Sequence, residues 1–282
     1  MRVFIVSLLL SLCAVASDVD RAQKLYDHTD YQAALEVLNK SSEGKSAAGW
    51  ELAGKSSYQL GDFKRSIEYF EKAVQAEPSK SVYVNWLGRA WGRRAETANP
   101  FMAPGYASKA RQFFEKAVAL NPRDVEAVND LFSYYLEAPG FLGGGMDKAM
   151  TLAEQIRTND PAEYHFALAQ IAQRRKQYDL AEGQLRKAVD LAPKQVGRVI
   201  DLARFLARRG KYGESETIFQ QAAKVDPNSK RVLYARAEAY IDTNRNLDVA
   251  RKLLNEYLQA PLSPEDPSRE DARRLLKRVT AD

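Results

Sequence analysis

The sequence predicts an all-α fold in which helix hairpins stack in a row as a solenoid. Three observations predict it. Apolar and small residues recur at i, i+4, i+7, the spacing of one helix face. Five such runs close on a proline at a near-regular interval. No stretch shows the alternation of a convincing strand.

The proline-closed runs are SIEYFEKAVQAEP, ARQFFEKAVALNP, AMTLAEQIRTNDP, AEGQLRKAVDLAP and SETIFQQAAKVDP, ending at Pro78, Pro122, Pro161, Pro193 and Pro227. Each places a small residue, then a large apolar or small one four on, then an apolar one three later. A proline just past a helix removes no internal hydrogen bond, so each reads as the stop of a hairpin's second helix. The closing prolines stand 44, 39, 32 and 34 residues apart. A recurring period near 34 marks a two-helix repeat.

Upstream of each lies a second apolar-periodic segment, the hairpin's first helix. WELAGKSSYQLGDF (50–63) shows Trp50, Ala53, Gly54 and Ser57 leading to the turn Gly61-Asp62. VIDLARFLARRGKY (199–212) and VLYARAEAY (232–240) play the same part. Gly54 and Ala203 are small where the two helices must approach closely.

These residues resemble the tetratricopeptide repeat family, whose pattern is W-x2-L-G-x2-Y in the first helix and A-x3-F-x2-A-x4-P in the second. The second half is carried by Ser66-Phe70-Ala73-Pro78, Ala110-Phe114-Ala117-Pro122 and Ser215-Phe219-Ala222-Pro227. Ala149 with Pro161, and Ala181 and Ala188 with Pro193, hold equivalent places. The first half is looser, with Leu87-Gly88-x2-Trp91 one good instance. The likeness spans about residues 20–260. It implies a right-handed superhelical solenoid, and a binding role without catalytic activity.

Seven hairpins are expected at about 18–40, 46–78, 81–122, 124–161, 162–193, 195–227 and 229–260. A closing helix follows at about 267–279, its charged outer face covering the last repeat as solenoids require. The solenoid domain is thus 17–282. The first hairpin lacks the terminal proline.

Two hairpins break the interval. Pro78 to Pro122 is ten residues longer than the period, and Pro122 to Pro161 five longer. The surplus falls in AETANPFMAPGYA and in EAPGFLGGG, between the helices of adjacent repeats and therefore on one edge. Insertions of this kind often mark a binding face. Phe101, Met102 and Tyr106 in one, and Phe141 and Leu142 in the other, are costly if left in water. They are expected to pack together as a satellite core, against the alternative that each loop lies on its own repeat.

The N-terminus MRVFIVSLLLSLCAVAS joins one basic residue, a short apolar run and small residues at Ala14 and Ala16, the pattern of a cleaved export signal over 1–16. This places the protein in the periplasm or outside the cell. Cys13 raises lipid attachment as an alternative, against which Leu12 stands where a small residue is wanted. Beyond the signal no stretch approaches a membrane span and no cysteine remains, so disulfides and thiolate chemistry are excluded. The charge of +5, with 42 basic against 37 acidic residues largely interleaved, is too mild for a dedicated nucleic-acid binder.

Chemistry finds little footing. The glycines at 140 and 143–145 precede a helix, where phosphates can be held. Yet the segment before them is helical, and Lys148 does not stand as a phosphate loop requires. The two histidines, His28 and His165, are far apart, and no residues show metal-ligand spacing. No cofactor is expected.

Family resemblance points to the concave surface, lined by first helices, as the partner groove. Tyr83, Trp86, Arg89, Arg93, Asn129, Ser133, Phe166, Gln170, Arg204 and Tyr234 are its candidate residues, since aromatics with Arg and Asn can bury area and satisfy a peptide backbone. Arg93-Arg94, Arg174-Arg175-Lys176 and Arg208-Arg209 with Lys211 end first helices, where cations complement the helix dipole. They also form a basic edge, and so a second reading: an adaptor for an anionic envelope glycan or lipid headgroup.

Overall fold

The computed structural model describes residues 17–279. The expected export signal and its Cys13 lie outside the described residues. Among those residues there are fifteen α-helices and no strand. The first helices of the hairpins are α1 (Asp18–Asp27), α3 (Ala47–Gln59), α5 (Ser81–Thr97), α7 (Val125–Glu137), α9 (Pro161–Arg174), α11 (Val196–Arg208) and α13 (Lys230–Asp242). Their partners are α2 (Tyr31–Lys40), α4 (Phe63–Ala76), α6 (Ala103–Leu120), α8 (Met146–Ile156), α10 (Tyr178–Leu191), α12 (Tyr212–Val225) and α14 (Leu247–Gln259). The last helix, α15 (Arg269–Arg278), packs on α13 and α14. Each first helix packs on its own partner, and each second helix packs on the helix that follows it, which gives the two-row stack of a solenoid.

Seven of the fifteen helices start where a side-chain oxygen accepts from the first turn. Asp30, Asp62, Asp124 and Asp160 each accept from the backbone N–H three residues on, and Ser17 forms a reciprocal capping box with Asp20. The turns inside five hairpins share one ending. Thr29, Gly61, Lys176, Gly210 and Asn244 are left-handed, and the residue after each donates back to a carbonyl five residues earlier. The third hairpin lacks it, and in the fourth it closes the inserted joint, with Gly143 left-handed and Gly144 donating to the Pro139 carbonyl. A side chain at positive φ costs about 1 kcal/mol or more, and Lys176 is exposed and makes no ion pair among the described residues. Lys176→Gly is therefore expected to raise stability by about 0.5–1 kcal/mol, less the entropy glycine adds to the unfolded chain. Urea denaturation of the two proteins checks it.

The small residues are required by contact. A Cβ on Gly54 would lie 2.8 Å from the Phe70 ring, and one on Gly88 2.7 Å from the Phe114 ring. Where the second helix carries serine instead of alanine, the buried hydroxyl finds the same partner twice. Ser66 donates to the Gly54 carbonyl at 2.9 Å and Ser215 to that of Ala203 at 2.8 Å. Phe70, Ala73, Ala110, Ala117, Ala149, Ala181, Ala188, Ala203, Phe219 and Ala222 are all buried, while Trp50 is half-buried.

One proline departs from expectation. Pro78, Pro122, Pro193 and Pro227 follow a second helix, but Pro161 opens the next first helix, directly after its cap Asp160. The fourth hairpin ends before it, and the fixed φ and missing N–H of proline suit a helix start.

The two insertions differ in kind. The ten residues of the third hairpin mostly extend its helices, since α5 and α6 run to 17 and 18 residues against 13 and 14 for α3 and α4. The five residues of the fourth stay in the joint, between Glu137 and Met146. The expected satellite core is absent: Phe101 is 95% exposed and Phe141 82% exposed. Tyr106 lies within α6 and packs on Trp91, ring centres 5.3 Å apart. Met102 is also exposed and Leu142 half-buried.

The stack bends far enough for its two ends to meet. The segment linking α14 to α15 and the start of α15 reach the first two hairpins: Gln59 donates to the Pro264 carbonyl at 3.4 Å, and Arg269 to Thr29 Oγ1 at 3.2 Å. Tyr257, buried, ties the segment down by donating to the Pro267 carbonyl.

Candidate functional site: the inner face of the stack

The glycine-rich joint is closed on itself. The amides of Gly143, Gly144 and Gly145 donate to the carbonyls of Gly140, Pro139 and Tyr135. A Cβ on Gly144 would lie 1.8 Å from the Ala138 oxygen, so a side chain there cannot fit. Lys148 Nζ turns back to the Gly143 carbonyl, and Tyr134 donates to that of Leu142. No amide of the three is left for a phosphate.

The inner face carries more. A cavity of about 620 Å³ lies between the first four hairpins and the C-terminal segment. Trp86 and Arg89 line it, with Lys55, Gln59 and Asn85 beside them and Pro264 at its mouth. Trp86 is half-buried by aromatics, stacked on Phe70 at 5.8 Å and edge-on to Tyr58 at 5.4 Å. The Arg89 guanidinium lies 4.7 Å and Lys55 Nζ 5.3 Å from the centre of its ring. Such contacts are worth about 0.5–1 kcal/mol when exposed and more when dry.

Asp130 organises the polar side of the cavity. It accepts from Asn85 Nδ2 at 2.7 Å and from Arg89 Nε. Burial pushes its carboxyl above the ordinary range, and Arg89 and Asn85 pull the other way. For Arg89, burial disfavours the charged form, but Asp130 outweighs it and the guanidinium is held more firmly protonated. A second arm of Arg89 reaches Glu126 at 3.2 Å.

Asn129 and Ser133 on α7 are the counterparts of Asn85 and Arg89 on α5, at the same 44-residue offset as Pro78 and Pro122. Both are half-buried and make no side-chain hydrogen bond among the described residues, as is Gln170 on α9. Phe166 is half-buried beneath the Arg198 guanidinium, 4.3 Å from its ring centre. Arg204 is ion-paired to Glu238 on the neighbouring first helix.

Three candidates sit elsewhere. Tyr83 is buried at 5% exposure, and Tyr234 at 7% with its ring 5.4 Å from that of Tyr257. Neither offers a face to a partner, because each is enclosed within the stack, Tyr234 against the second helix of its own hairpin. Arg93 stands near the turn end of α5, over Phe63 and paired with Glu96. Lys55, Gln59, Asn85 and Asp130 belong to the site and are absent from the residues the sequence singles out. The i, i+4 placement of Asn85 and Arg89 is the signal that could find them.

On the basic edge, Arg209 pairs with Asp179 and stacks on Tyr178, and Lys211 pairs with Glu182. Arg174, Arg175, Lys176 and Arg208 are exposed and make no ion pair among the described residues. Among the described residues no group of three or more His, Cys, Asp or Glu is placed to hold a metal ion, and no helix is long and apolar enough to cross a membrane. His165 Nδ1 is 2.6 Å from the Gln184 amide oxygen, a packing arrangement.

The tetratricopeptide repeat profile matches residues 47–80, 162–195 and 200–267. The chain therefore carries tetratricopeptide repeats. It is similar in fold to a thermophilic TPR protein of Thermus thermophilus, with TM-score 0.55, 22% identity, and 67% of this chain and 97% of that one covered. A tetratricopeptide repeat protein from Parabacteroides merdae matches with TM-score 0.58 and 12% identity over 93% and 97%. Human IFIT1, solved as a dimer with m7Gppp-AAAA, matches with TM-score 0.56 and 15% identity over 94% and 62%. At these identities the likeness is one of fold. No curated protein sequence matches the chain.

Proposed function

We propose that this tetratricopeptide solenoid is a non-catalytic scaffold that receives an extended segment of another protein on its inner face. The observation that carries the reading is the row of half-buried polar side chains there with no partner among the described residues: Asn129, Ser133 and Gln170. Amide and hydroxyl groups held half-dry beside aromatic rings suit an extended backbone, whose N–H and C=O groups need partners at every residue. The sequence of residues 1–16 supports export, so the partner is sought outside the cytoplasm.

The test is affinity capture from the source cells with the wild-type chain and with an Asn129→Ala, Ser133→Ala, Gln170→Ala variant. The three changes remove polar groups that bond nothing within the described fold, so the thermal melt is expected to stay in place. Proteins captured by the wild type are expected to be lost from the variant. Capture of the same set by both would sink the reading.

A second reading, that the turn edge meets an anionic glycan or lipid headgroup, draws on the four exposed cations at Arg174, Arg175, Lys176 and Arg208. Repeating the capture at two salt concentrations with these four changed to alanine separates the two, because exposed charge contacts are screened.

A further inference from the structure

The cavity on the inner face has a charge its own linker does not match. Asp27, Asp124 and Glu126 line it, and Glu265 of the α14–α15 segment stands at its mouth. Its two cations are already engaged. Lys55 is paired with Glu51 at 2.6 Å, and Arg89 is shared between Glu126 and Asp130. Asp27, Asp124 and Glu265 have no ion pair among the described residues.

A cluster of carboxylates alone says little, but a second observation points the same way. Asn85 lines the same cavity and is 2% exposed. Its Nδ2 is used by Asp130, while its Oδ1 accepts no hydrogen bond. A buried acceptor left unmade costs free energy, because it has given up its water. The cavity thus presents surplus negative charge, with an unbonded acceptor sealed in the side chain of one lining residue, and what it lacks is a donor carrying positive charge.

The molecule also shows what shape it accepts. Pro261–Pro267 is a non-helical segment with three prolines, and Gln59 donates to its main-chain carbonyl at Pro264. A side-chain amide bonded to a backbone carbonyl is how a groove takes a peptide.

We infer that this cavity is a binding site for an extended, proline-containing peptide that delivers a lysine or arginine side chain to Asp27 and Glu126, and that the segment around Pro264 and Glu265 is its weak intramolecular occupant. The inference rests on the scaffold reading and names the partner's chemistry. The tethered segment presents a glutamate where the cavity wants a cation. It guards the mouth at high effective concentration and yields to a ligand of the right charge.

Two nonapeptides are the probes, one with the sequence of residues 260–268, APLSPEDPS, and one with lysine in place of its glutamate. Each is titrated into the purified full chain by calorimetry. The lysine peptide is expected to bind at least about tenfold tighter, and to weaken as salt rises. The Asp27→Asn, Glu126→Gln variant, isosteric at two surface sites, is expected to erase most of that preference with its circular dichroism unchanged. Glu265→Lys, which plants the cation in the chain's own segment, is expected to cut binding of the lysine peptide by about tenfold or more. Equal or tighter binding of the glutamate peptide, or a preference that survives Asp27→Asn, Glu126→Gln, overturns the inference. Such a failure leaves capture through Asn129, Ser133 and Gln170 untouched, so the two readings fail separately.

Discussion

Phe70→Ala is expected to destabilise the protein by about 3–5 kcal/mol, the range for removing a buried aromatic ring. Phe70 has no exposed surface. Its ring fills the space left by Gly54 on α3 and lies stacked 5.8 Å from Trp86 on α5. It therefore joins its own hairpin to the next. Gly54 cannot close the gap, having nothing to move inward, so the cavity persists. Most contacts of a repeat are with its neighbours, so loss at one junction weakens the coupling of the two sides, which here keep only the contact between the ends of the stack. The urea transition is expected to broaden as well as shift. Phe101→Ala is the control: the same chemistry at a side chain 95% exposed should change stability by no more than about 0.5 kcal/mol. A loss below about 1 kcal/mol for Phe70→Ala would show that the junction is carried elsewhere. Trp86 would also lose the surface it rests on, so the same variant is expected to weaken ligand binding in the inner cavity.

The helical part of this molecule is legible because many of its elements are marked twice. Apolar spacing gives a helix its face, and Asp or Ser caps with closing prolines give it ends. The third hairpin escapes because those marks conflict there. AETANPFMAPGYA contains two prolines and a glycine, and reads as loop. Yet Arg94–Thr97 continue α5, and Pro104 falls in the first turn of α6, where proline does no harm. Tyr106 thereby becomes a helix residue against Trp91. Phe101 and Phe141 are left exposed at separate turns.

The groove is legible only in part, for a different reason. A first helix in a solenoid is enclosed by its own partner and by the next hairpin. Only a narrow strip of it is left open, and aromatic character does not distinguish that strip from the core. Trp86 lies on the strip, whereas Tyr83, three residues earlier, and Tyr234 do not. The meeting of Gln59 with Pro264 has no local signal, since it joins residues 205 apart in sequence. It depends on the curvature summed over every repeat between them.

Glu163→Ala is expected to cost about 3–5 kcal/mol, because it leaves a buried charge without its partner. Glu163 is 5% exposed and forms an ion pair with Arg198 on the next first helix, whose side chain is 16% exposed. Burial lowers the proton affinity of Arg198, opposed by Asp201 and Asp160. Asp201 stands 3.7 Å away and is itself pushed above the usual carboxylate range by burial. It cannot replace Glu163 without further desolvation. The guanidinium also covers Phe166, so α9 and α11 are joined by one side chain through charge and ring together. Replacing both partners with apolar residues separates these contributions. Glu163→Leu with Arg198→Met removes the charges and keeps the volume, and it is expected to restore most of the lost stability. If the single change costs as little as an exposed ion pair, under about 1 kcal/mol, then packing alone holds the fifth and sixth hairpins together. If the double variant is as stable as the wild type, the pair contributes no net stability, and its role is to fix which faces of α9 and α11 meet. That register sets where Phe166 and Gln170 stand on the inner face, so the double variant should fold and yet bind the captured partners less well.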